Sequence, residues 1–403
     1  MRPAPRALRF AIVLALGSAA AACHRGAAPE PASALDAEEQ SEPDDDHFVR
    51  DLESDAVLAP FLRKAASLRL QILVAHPERD RSGSTTLVRH GFRADRDYFY
   101  PASSVKLCAA VAALEKLGEL DAVSPETIGP RTPLRLTYDD ETVDTTVADE
   151  IVRALVVSDN EAYNRLLDFV GASELTARMR ALGLESAVLT SRLASGDRAP
   201  PMVELVSGSA APLLVAERAD LGAGGPDEDP LLVGLAHVDD ARRKVAGPMD
   251  FGRKNRISLH DLQDLLVMVT RPELGPRVGP RLGASERTLL VDTLGALPSA
   301  SVRGAGRATD RLHKPLLDAV AARVPGHAVR VVGKGGRALG FFVENSLVVD
   351  ETTGAFFFVA VAVYANRNDV VNDDRYDYET IAVPFVRRLG VVLADRWLGA
   401  GEG

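Results

Sequence analysis

With 403 residues, 46% of them hydrophobic and 26% charged, the chain can bury a core of globular size in one large domain or two small ones. This composition excludes a chain that is disordered throughout and a bundle of membrane helices. The formal net charge is −10, of which residues 1–22 contribute +3 and residues 23–47 contribute −7. The −6 that remains is a mild acidity, which gives no reason to expect a nucleic acid as partner.

Residues 1–22 have the pattern of an export signal. Arg2, Arg6 and Arg9 precede a short apolar run that ends in small residues directly before Cys23. The run is too short for a membrane span, and a cysteine at that position resembles a bacterial lipobox. We therefore predict a lipoprotein-type signal peptide, a lipid on the Cys23 thiol, and an exported protein anchored to a membrane of the cell envelope or periplasm. Plain secretion is the alternative.

Residues 23–47 predict an acidic flexible tether. The segment holds eight acidic residues, one arginine and almost no large apolar side chain, so burial cannot offset the entropy cost of ordering it. The folded domain is expected at residues 48–398. Only one other cysteine exists, Cys108, so lipidation of Cys23 excludes a disulfide, and Cys108 is predicted to be a buried thiol.

The first elements of this domain are a helix and two strands. A helix is predicted near residues 52–66, and the alternating, β-branched segments 68–76 and 84–92 predict strands. From Ser103 onward the chain has helix formers, apolar residues at helical spacing, and Gly118 near the end of the pattern. A serine at this position opens or caps a largely buried helix.

The middle of the chain is mostly helical, and its last part returns to strands. The patterns predict helices at 146–157, 161–171 and 258–270, three strands within 328–364, and a final amphipathic helix at 379–398. A Gly/Pro-rich stretch at 195–249 is predicted to be an insertion. The expected fold is α/β (α+β), with one antiparallel sheet built from the N- and C-terminal segments, flanked by helices, and an inserted all-helical subdomain.

The first candidate for catalysis is the pair Ser103 and Lys106. Residues three apart share a helix face, so the lysine can approach the hydroxyl. Burial disfavours a charged ammonium, and a neutral lysine can take the serine proton. Free amides at the helix N-terminus can also stabilise an oxyanion. The S-x-x-K spacing is expected about once by chance in a chain of this length, so the pair alone is equally typical of an ordinary buried helix.

Two further segments carry candidate residues. Ser158, Asp159 and Asn160 lie between two predicted helices, although Ser158 and Glu161 also form an S-x-x-E pattern that is typical of a helix-capping box. Lys334 follows an apolar strand and precedes two glycines, which equally suits a hairpin turn with a solvated lysine. A phosphate-binding Walker pattern is absent from the sequence.

Taken together, the three motifs occur in the order S-x-x-K, S-D-N, K-x-G, at a helix start, a loop between helices and a strand end. Over roughly residues 50–398, the chain resembles the serine β-lactamase and penicillin-binding protein superfamily, and class A β-lactamases most. The sequence lacks the G-x-S-x-G of α/β-hydrolases and the H-E-x-x-H of zinc hydrolases, and its eight histidines are scattered. We therefore expect no metal and no cofactor.

The resemblance implies a role for each matching residue. Ser103 would be the acylated nucleophile and Lys106 its proton acceptor, while Ser158 would relay a proton to the leaving nitrogen. Lys334 would supply positive potential near Ser158 and the substrate carboxylate. The residues expected to contact the substrate are Asn160, Gly336 and Arg337, with the backbone N–H groups of Ser103 and Arg337 forming the oxyanion hole.

Two departures from the family pattern concern the reaction. The E-x-x-L-N segment, whose glutamate activates the deacylating water in class A enzymes, is absent, and Asp197 and Glu204 are the nearest candidate bases. Gly335 stands where the family has threonine or serine, so one hydrogen bond to the substrate carboxylate is missing. The Arg337 side chain is a candidate to replace it, although an exposed turn arginine is the simpler reading. The insertion at 195–249 falls where the missing glutamate would lie.

The sequence therefore predicts an exported serine hydrolase that forms an acyl-enzyme on Ser103. Hydrolysis of β-lactams is the first reading. The alternatives are a penicillin-binding D,D-peptidase or transpeptidase that acts on peptidoglycan stem peptides, and a binding or scaffold lipoprotein of the same fold that has lost turnover. The partners would be a β-lactam or a stem peptide as substrate and a membrane through the lipid on Cys23, with no nucleic acid.

Overall fold

A computed structural model describes residues 46–194, 198–206, 213–215, 230–301 and 306–399. The predicted signal peptide, Cys23, nearly all of the predicted tether and Asp197 lie outside these residues. Residues 46 and 47, assigned above to the tether, already lie in a helix that begins at Asp46. Among the helices described, none is long and apolar enough to cross a membrane.

The helices and strands are numbered in chain order. The helices are α1 (Asp46–Ser54), α2 (Ala59–Leu62), α3 (Lys106–Val123), α4 (Val147–Val156), α5 (Asn160–Val170), α6 (Ala172–Ala181), α7 (Leu259–Thr270), α8 (Ala284–Gly295), α9 (Pro298–Ser301), α10 (Arg307–His313), α11 (Leu317–Ala321) and α12 (Val383–Trp397). The strands are β1 (Gln71–Arg79), β2 (Thr85–Phe92), β3 (Pro133–Thr137), β4 (Thr142–Thr146), β5 (Met202–Leu205), β6 (Leu213–Val215), β7 (Leu232–Val233), β8 (Ala236–Val238), β9 (Lys244–Ala246), β10 (Met249–Asp250), β11 (Val329–Gly333), β12 (Gly336–Ala338), β13 (Phe341–Asp350), β14 (Phe356–Tyr364) and β15 (Val370–Val371).

The main sheet joins the two ends of the domain, as the sequence predicts. Its strand order is β11-β13-β14-β1-β2, and β12 pairs with β13 beyond the end of β11. All of these pairs are antiparallel, and the β1–β14 register sets Val74 opposite Val359. Strands β13 and β14 are buried along almost their whole length because both faces of the sheet are covered.

Alternate residues of the sheet belong to two hydrophobic cores. On β13, Phe341 and Val343 face the core that contains α3, α5 and α7, whereas Phe342 and Val348 face the core formed with α1, α11 and α12. This alternation follows from the two-residue repeat of a strand. Residues 106–114 of α3 are all buried, so this helix runs through the middle of the first core. The fold therefore places the start of α3 deep inside the molecule.

The predicted helix at 52–66 is two helices. Helix α1 ends at Ser54, and the Asp55 carboxylate then accepts hydrogen bonds from the backbone N–H groups of Val57 and Leu58, both at 3.0 Å. Pro60 lies in the first turn of α2. An aspartate that bonds the backbone two and three residues ahead favours a turn over a helix, which explains the break.

The inserted region is not all-helical, which corrects the prediction. It contains a four-stranded sheet of order β4-β3-β5-β6 beside the helices. Strand β3 alternates exposed and buried residues, and its Leu134 and Leu136 point into the first core. This period-two pattern indicates a strand, but it lasts only five residues between longer helical patterns.

The described parts of the 195–249 stretch are strands as well. Strands β5 and β6 extend the sheet of the helical region, whereas β8 pairs in parallel with β15 near the C-terminus. Gly234 has a φ of +85°, and a Cβ there would lie 2.7 Å from a methyl group of Val371. Glycine at this position thus permits both the turn and the close contact with β15. The insertion therefore contacts two separate regions of the domain.

Candidate active site

The nucleophile candidate lies on a tight turn at the start of the central helix. Residues Ala102–Val105 form a 3-10 turn that leads into α3, and Ser103 is half-buried there. Ala102 has a φ of +49°, which is a strained conformation for a residue with a side chain. The neighbouring Ser104 hydroxyl donates to the Pro101 carbonyl at 2.7 Å and supports the turn. Strain of this kind is typical of residues whose position matters for function.

Strand β12 lies directly against this turn. A Cβ added to Gly336 would come within 2.4 Å of the Ser103 nitrogen and 2.9 Å of the Pro101 oxygen. Because these are backbone atoms, any side chain at position 336 would push β12 away from the nucleophile. The glycine expected to lie at the substrate site thus permits the two backbones to meet.

Lys106 is completely buried, and polar groups surround its ammonium nitrogen. The Nζ donates to the backbone carbonyl of Ser158, to the Ser158 Oγ at 3.1 Å and to the Asn160 Oδ1 at 2.8 Å. Burial lowers the pKa of Lys106 to about 7, against the opposing charge of Asp159. A substantial fraction of this lysine is therefore neutral at neutral pH, as a base that accepts a serine proton requires.

Lys106 is hydrogen-bonded to Ser158 and Asn160 and not, as predicted, to Ser103. Within the described residues, no hydrogen bond joins Lys106 to Ser103, although the two share the first turns of the same helix. The Asn160 Nδ2 likewise makes no hydrogen bond in the part of the chain that the structure describes. It can therefore donate to a substrate amide, as the resemblance implies.

The S-D-N segment caps a helix, but through a different residue from the one predicted. The side chain of Asp159 accepts from the N–H groups of Glu161 at 2.9 Å and Ala162 at 3.1 Å, and so it is the N-cap of α5. The capping box with Ser158 is therefore wrong. Ser158 has a φ of +59°, again a strained conformation, and its hydroxyl points to the two lysines.

Lys334 approaches the same hydroxyl from the strand side. Its Nζ donates to the Ser158 Oγ at 3.0 Å and to the Gly335 carbonyl at 2.6 Å, so the reading as a solvated turn lysine is wrong. The side chain is only 5% exposed. Burial lowers the pKa of Lys334 well below its usual value, and the charges of Lys106 and Lys314 lower it further. One hydroxyl thus contacts two buried amines. Protonating both amines at once is energetically unfavourable, because their positive charges repel each other.

The departures at positions 335 and 337 have structural explanations. A Cβ at Gly335 would lie 2.6 Å from the Val343 carbonyl oxygen, so the backbone here leaves no room for the threonine or serine side chain that the family has at this position. The Arg337 guanidinium donates to the Leu312 carbonyl at 2.7 Å and to Glu379 at 3.2 Å. These contacts occupy the Arg337 side chain, which argues against the expectation that it replaces the missing hydroxyl.

Of the two candidate deacylation bases, only Glu204 is described. It lies on β5 opposite Arg135 of β3, and its charge acts on this exposed arginine. Among the described residues, no hydrogen bond connects Glu204 with Ser103, Lys106 or Lys334. The geometry therefore gives Glu204 no support as the base, and Asp197 stays a prediction.

The sequence analysis missed two buried charges behind the site. Lys314 Nζ donates to the carbonyls of Leu294 and Gly333, and the second contact, at 2.7 Å, fixes the end of β11 next to Lys334. Glu344 lies across the strand pair from Gly335 and accepts from Ser346. A glutamate inside the apolar run of β13 was the available signal, because a charge in a buried strand needs partners. The described residues hold no cluster of three or more metal-binding side chains.

A comparison with protein families and known sequences gives one match. The model of the Beta-lactamase enzyme family matches residues 88–277, a range that includes Ser103, Lys106, Ser158 and Asn160. No curated protein sequence matches the chain.

Three of the solved structures that match the chain are described here by source, identity and coverage. A β-lactamase from Desulfarculus baarsii is 20% identical, covers 85% of this chain and 96% of its own, and has a TM-score of 0.47. A class A β-lactamase from Mycobacterium abscessus is 18% identical, with coverages of 85% and 98% and a TM-score of 0.47. A point mutant of PBP-A, in an acyl-enzyme complex with penicillin G, is 16% identical, with coverages of 84% and 95% and a TM-score of 0.48.

The helices and antiparallel sheets form the α/β fold of the β-lactamases. The family match and the three motifs together support the serine β-lactamase and penicillin-binding protein superfamily that the sequence resembles. The recognition made from the sequence is thereby confirmed.

Proposed function

We propose that the protein is an exported serine hydrolase that is acylated on Ser103 by β-lactams, with β-lactam hydrolysis as its activity. The observation that carries the proposal is the Ser158 hydroxyl, which lies 3.1 Å from the Lys106 Nζ and 3.0 Å from the Lys334 Nζ beside the Ser103 turn. This arrangement can both remove a proton from a nucleophile and return one to a leaving group.

In the acylation step, neutral Lys106 accepts the proton of Ser103 as the Ser103 Oγ attacks the lactam carbonyl carbon. The pKa of about 7 makes this transfer feasible near neutral pH. The two groups are not hydrogen-bonded in the free protein, and catalytic hydrogen bonds of this kind often tighten only when substrate is present. The backbone N–H groups of Ser103 and Arg337 would stabilise the oxyanion.

Collapse of the tetrahedral intermediate breaks the lactam C–N bond, and the departing nitrogen takes a proton from the Ser158 hydroxyl. Ser158 regains a proton from the lysines on either side of it, so the proton taken from Ser103 is returned without leaving the cleft. Asn160 Nδ2 would bind the substrate's side-chain amide, and Lys334 would attract its carboxylate.

A penicillin-binding D,D-peptidase or transpeptidase is the second candidate, and one observation favours it. Glu204 lies opposite Arg135, and within the described residues it makes no hydrogen bond with Lys106 or Lys334, so its position does not favour it as the base that activates a deacylating water. Without such a base, acylation by penicillin would give a long-lived adduct. A natural acyl donor would then be a peptidoglycan stem peptide.

The test is to incubate the intact chain, in detergent, with a fluorescent penicillin and a chromogenic cephalosporin. Turnover of the cephalosporin supports the β-lactamase, and a stable fluorescent label without turnover supports the penicillin-binding protein. Absence of both signals would leave only the scaffold reading. The Ser103→Ala variant should lose both signals. The Ser67→Ala variant is the matched control, because this exposed serine bonds only the carbonyl of Lys64 in the described structure.

We also propose that Cys23 carries the lipid that anchors the protein to a membrane of the cell envelope. The support is the order of three arginines, a short apolar run and small residues before the cysteine. In cells, Cys23→Ser should move the protein from the membrane fraction to the soluble fraction, whereas Cys108→Ser should leave it in place. Retention of the Cys23→Ser variant in the membrane fraction would contradict the anchor.

A further inference from the structure

His313, the last residue of α10, lies beside the candidate active site, and hydrogen bonds hold the residues on either side of it. On one side, Arg337 donates to the carbonyl of Leu312 at 2.7 Å, and on the other, Lys314 Nζ donates to the carbonyl of Gly333 at 2.7 Å. These contacts hold residues 312–314 alongside the segment 333–337. His313 is therefore fixed next to Lys334 and the hydroxyl-free Gly335.

The imidazole of His313 also reaches the loop that carries Ser158. Its Nδ1 lies 2.9 Å from the Thr309 carbonyl, and the carbonyl of Val157, the residue before Ser158, acts on the ring. Burial lowers the pKa of His313, the nearby charges of Lys334 and Arg337 lower it further, and the two carbonyls oppose this effect. The ring is half-buried, so a ligand in the cleft can still contact it.

The charged groups that act on the His313 ring are positive. They are Lys334 and Arg337, and Lys106 acts in turn on Lys334. Two of the neighbouring carboxylates are engaged elsewhere: Asp159 bonds Arg153 at 2.5 Å and the start of α5, and Glu379 bonds Arg337.

The third carboxylate is Glu344. It is fully buried behind Gly335, and burial raises its pKa, which favours its neutral form. The cleft is therefore electrostatically suited to an incoming anion that these carboxylates do not already neutralise.

We propose that His313 is a specificity-determining residue that, with Lys334, binds the carboxylate of the acyl donor in place of the hydroxyl that Gly335 lacks. This inference rests on the proposed function. The carboxylate replaces the Val157 carbonyl as the acceptor of a hydrogen bond from the ring, and its negative charge favours the protonated form of both His313 and Lys334. A purely structural role would be different, because the ring would then serve only to bond the Thr309 carbonyl of its own helix.

The experiment compares penicillin G with its methyl ester as acylating agents. The ratio of the two second-order acylation rate constants measures how much the protein gains from the carboxylate. In His313→Gln, the amide can still donate to the Thr309 carbonyl but cannot carry a charge. The ratio should fall roughly 10-fold or more, as expected for loss of a charge-assisted hydrogen bond, while the rate with the ester stays near the wild-type value. The control is His237→Gln, a half-buried histidine on β8.

Equal loss with both compounds in His313→Gln would show a structural role and overturn the inference, as would an unchanged ratio. A second readout does not depend on acylation. In the Ser103→Ala protein, the ring signals of His313 are titrated by NMR with and without penicillin G, and the apparent pKa should rise with the carboxylate form and not with the ester. If the wild type is acylated but neither effect is seen, only the inference fails. If neither compound labels the wild type, the proposed function fails.

Discussion

The candidate active site and the segment that follows Leu193 differ in how they are built. Ser103, Ser158 and Lys334 lie on a strained turn, a helix start and a strand end, all held by buried contacts. The segment after Leu193 has short strands and follows the family pattern poorly. Under the proposed function, the groups that form an acyl-enzyme therefore lie on buried elements, whereas a group that hydrolyses it is expected in the segment after Leu193.

The largest effect is expected at the base. Replacing Lys106 by methionine keeps most of the buried volume but removes the amine, so acylation by penicillin should slow by roughly 10²- to 10⁴-fold, the range for a general base. Stopped-flow fluorescence with a labelled penicillin measures the rate. Lys64→Met, at an exposed lysine on the surface, is the control and should acylate at the wild-type rate. A Lys106→Met rate within threefold of wild type would remove the lysine from the mechanism.

The next effect concerns Gly335. Restoring the family's hydroxyl with Gly335→Ser places a Cβ 2.6 Å from the Val343 carbonyl, so the variant should lose about 1–3 kcal/mol of unfolding free energy and acylate more slowly. Urea unfolding and the acylation rate together check this. The matched control is Gly118→Ala, in α3, where nothing lies within 4 Å of a new Cβ, and it should stabilise the protein by about 0.5–1 kcal/mol. Faster acylation by Gly335→Ser would contradict the steric account.

The pH dependence of acylation tests the charge on Lys106. Because the neutral amine is the active form and burial lowers its pKa to about 7, the acylation rate should rise with pH below about 7 and level off above it. Asp159 opposes this shift, so Asp159→Asn, which retains a good helix cap, should move the rising limb to lower pH. A limb that stays in place, or moves to higher pH, would show that another group controls the rate.

The smallest effect is expected at Glu204. Because this residue lies opposite Arg135 on β5, Glu204→Gln should leave the acylation and deacylation rates within twofold of wild type. Asp197→Asn is its matched partner, since both substitutions replace a carboxylate by an amide in the same segment. Decay of the labelled acyl-enzyme, followed by mass spectrometry, measures both variants. Slower decay in Glu204→Gln would mean that the strand rearranges around the bound substrate.

The sequence predicts those features of this molecule that depend on strong local patterns. The long alternating or apolar segments give β1, β2, β13 and β14, and the helical spacing gives α3 and α7. The sheet β3–β6 was missed because its strands are short and because β3 pairs with β5, which follows only after three helices. Long-range pairing of this kind leaves little local signal.

For the site as well, the sequence predicts what local motifs mark and misses what depends on contacts between distant segments. Of the motif residues, Ser158 and Lys334 are hydrogen-bonded, and Ser103 lies on the turn that Gly336 of β12 contacts. The helix cap was assigned to Ser158 rather than Asp159, since either residue satisfies the pattern and only the backbone conformation decides between them. His313 carried no motif, and its place beside Lys334 follows from contacts that only the folded chain reveals.

The proposed mechanism depends on acylation of Ser103. The direct measurement is mass spectrometry of the intact protein and of its proteolytic peptides after incubation with penicillin G. We expect a single added penicillin, located on the peptide that contains Ser103, and no addition in Ser103→Ala. An adduct on any other residue, or undiminished labelling of Ser103→Ala, would contradict it.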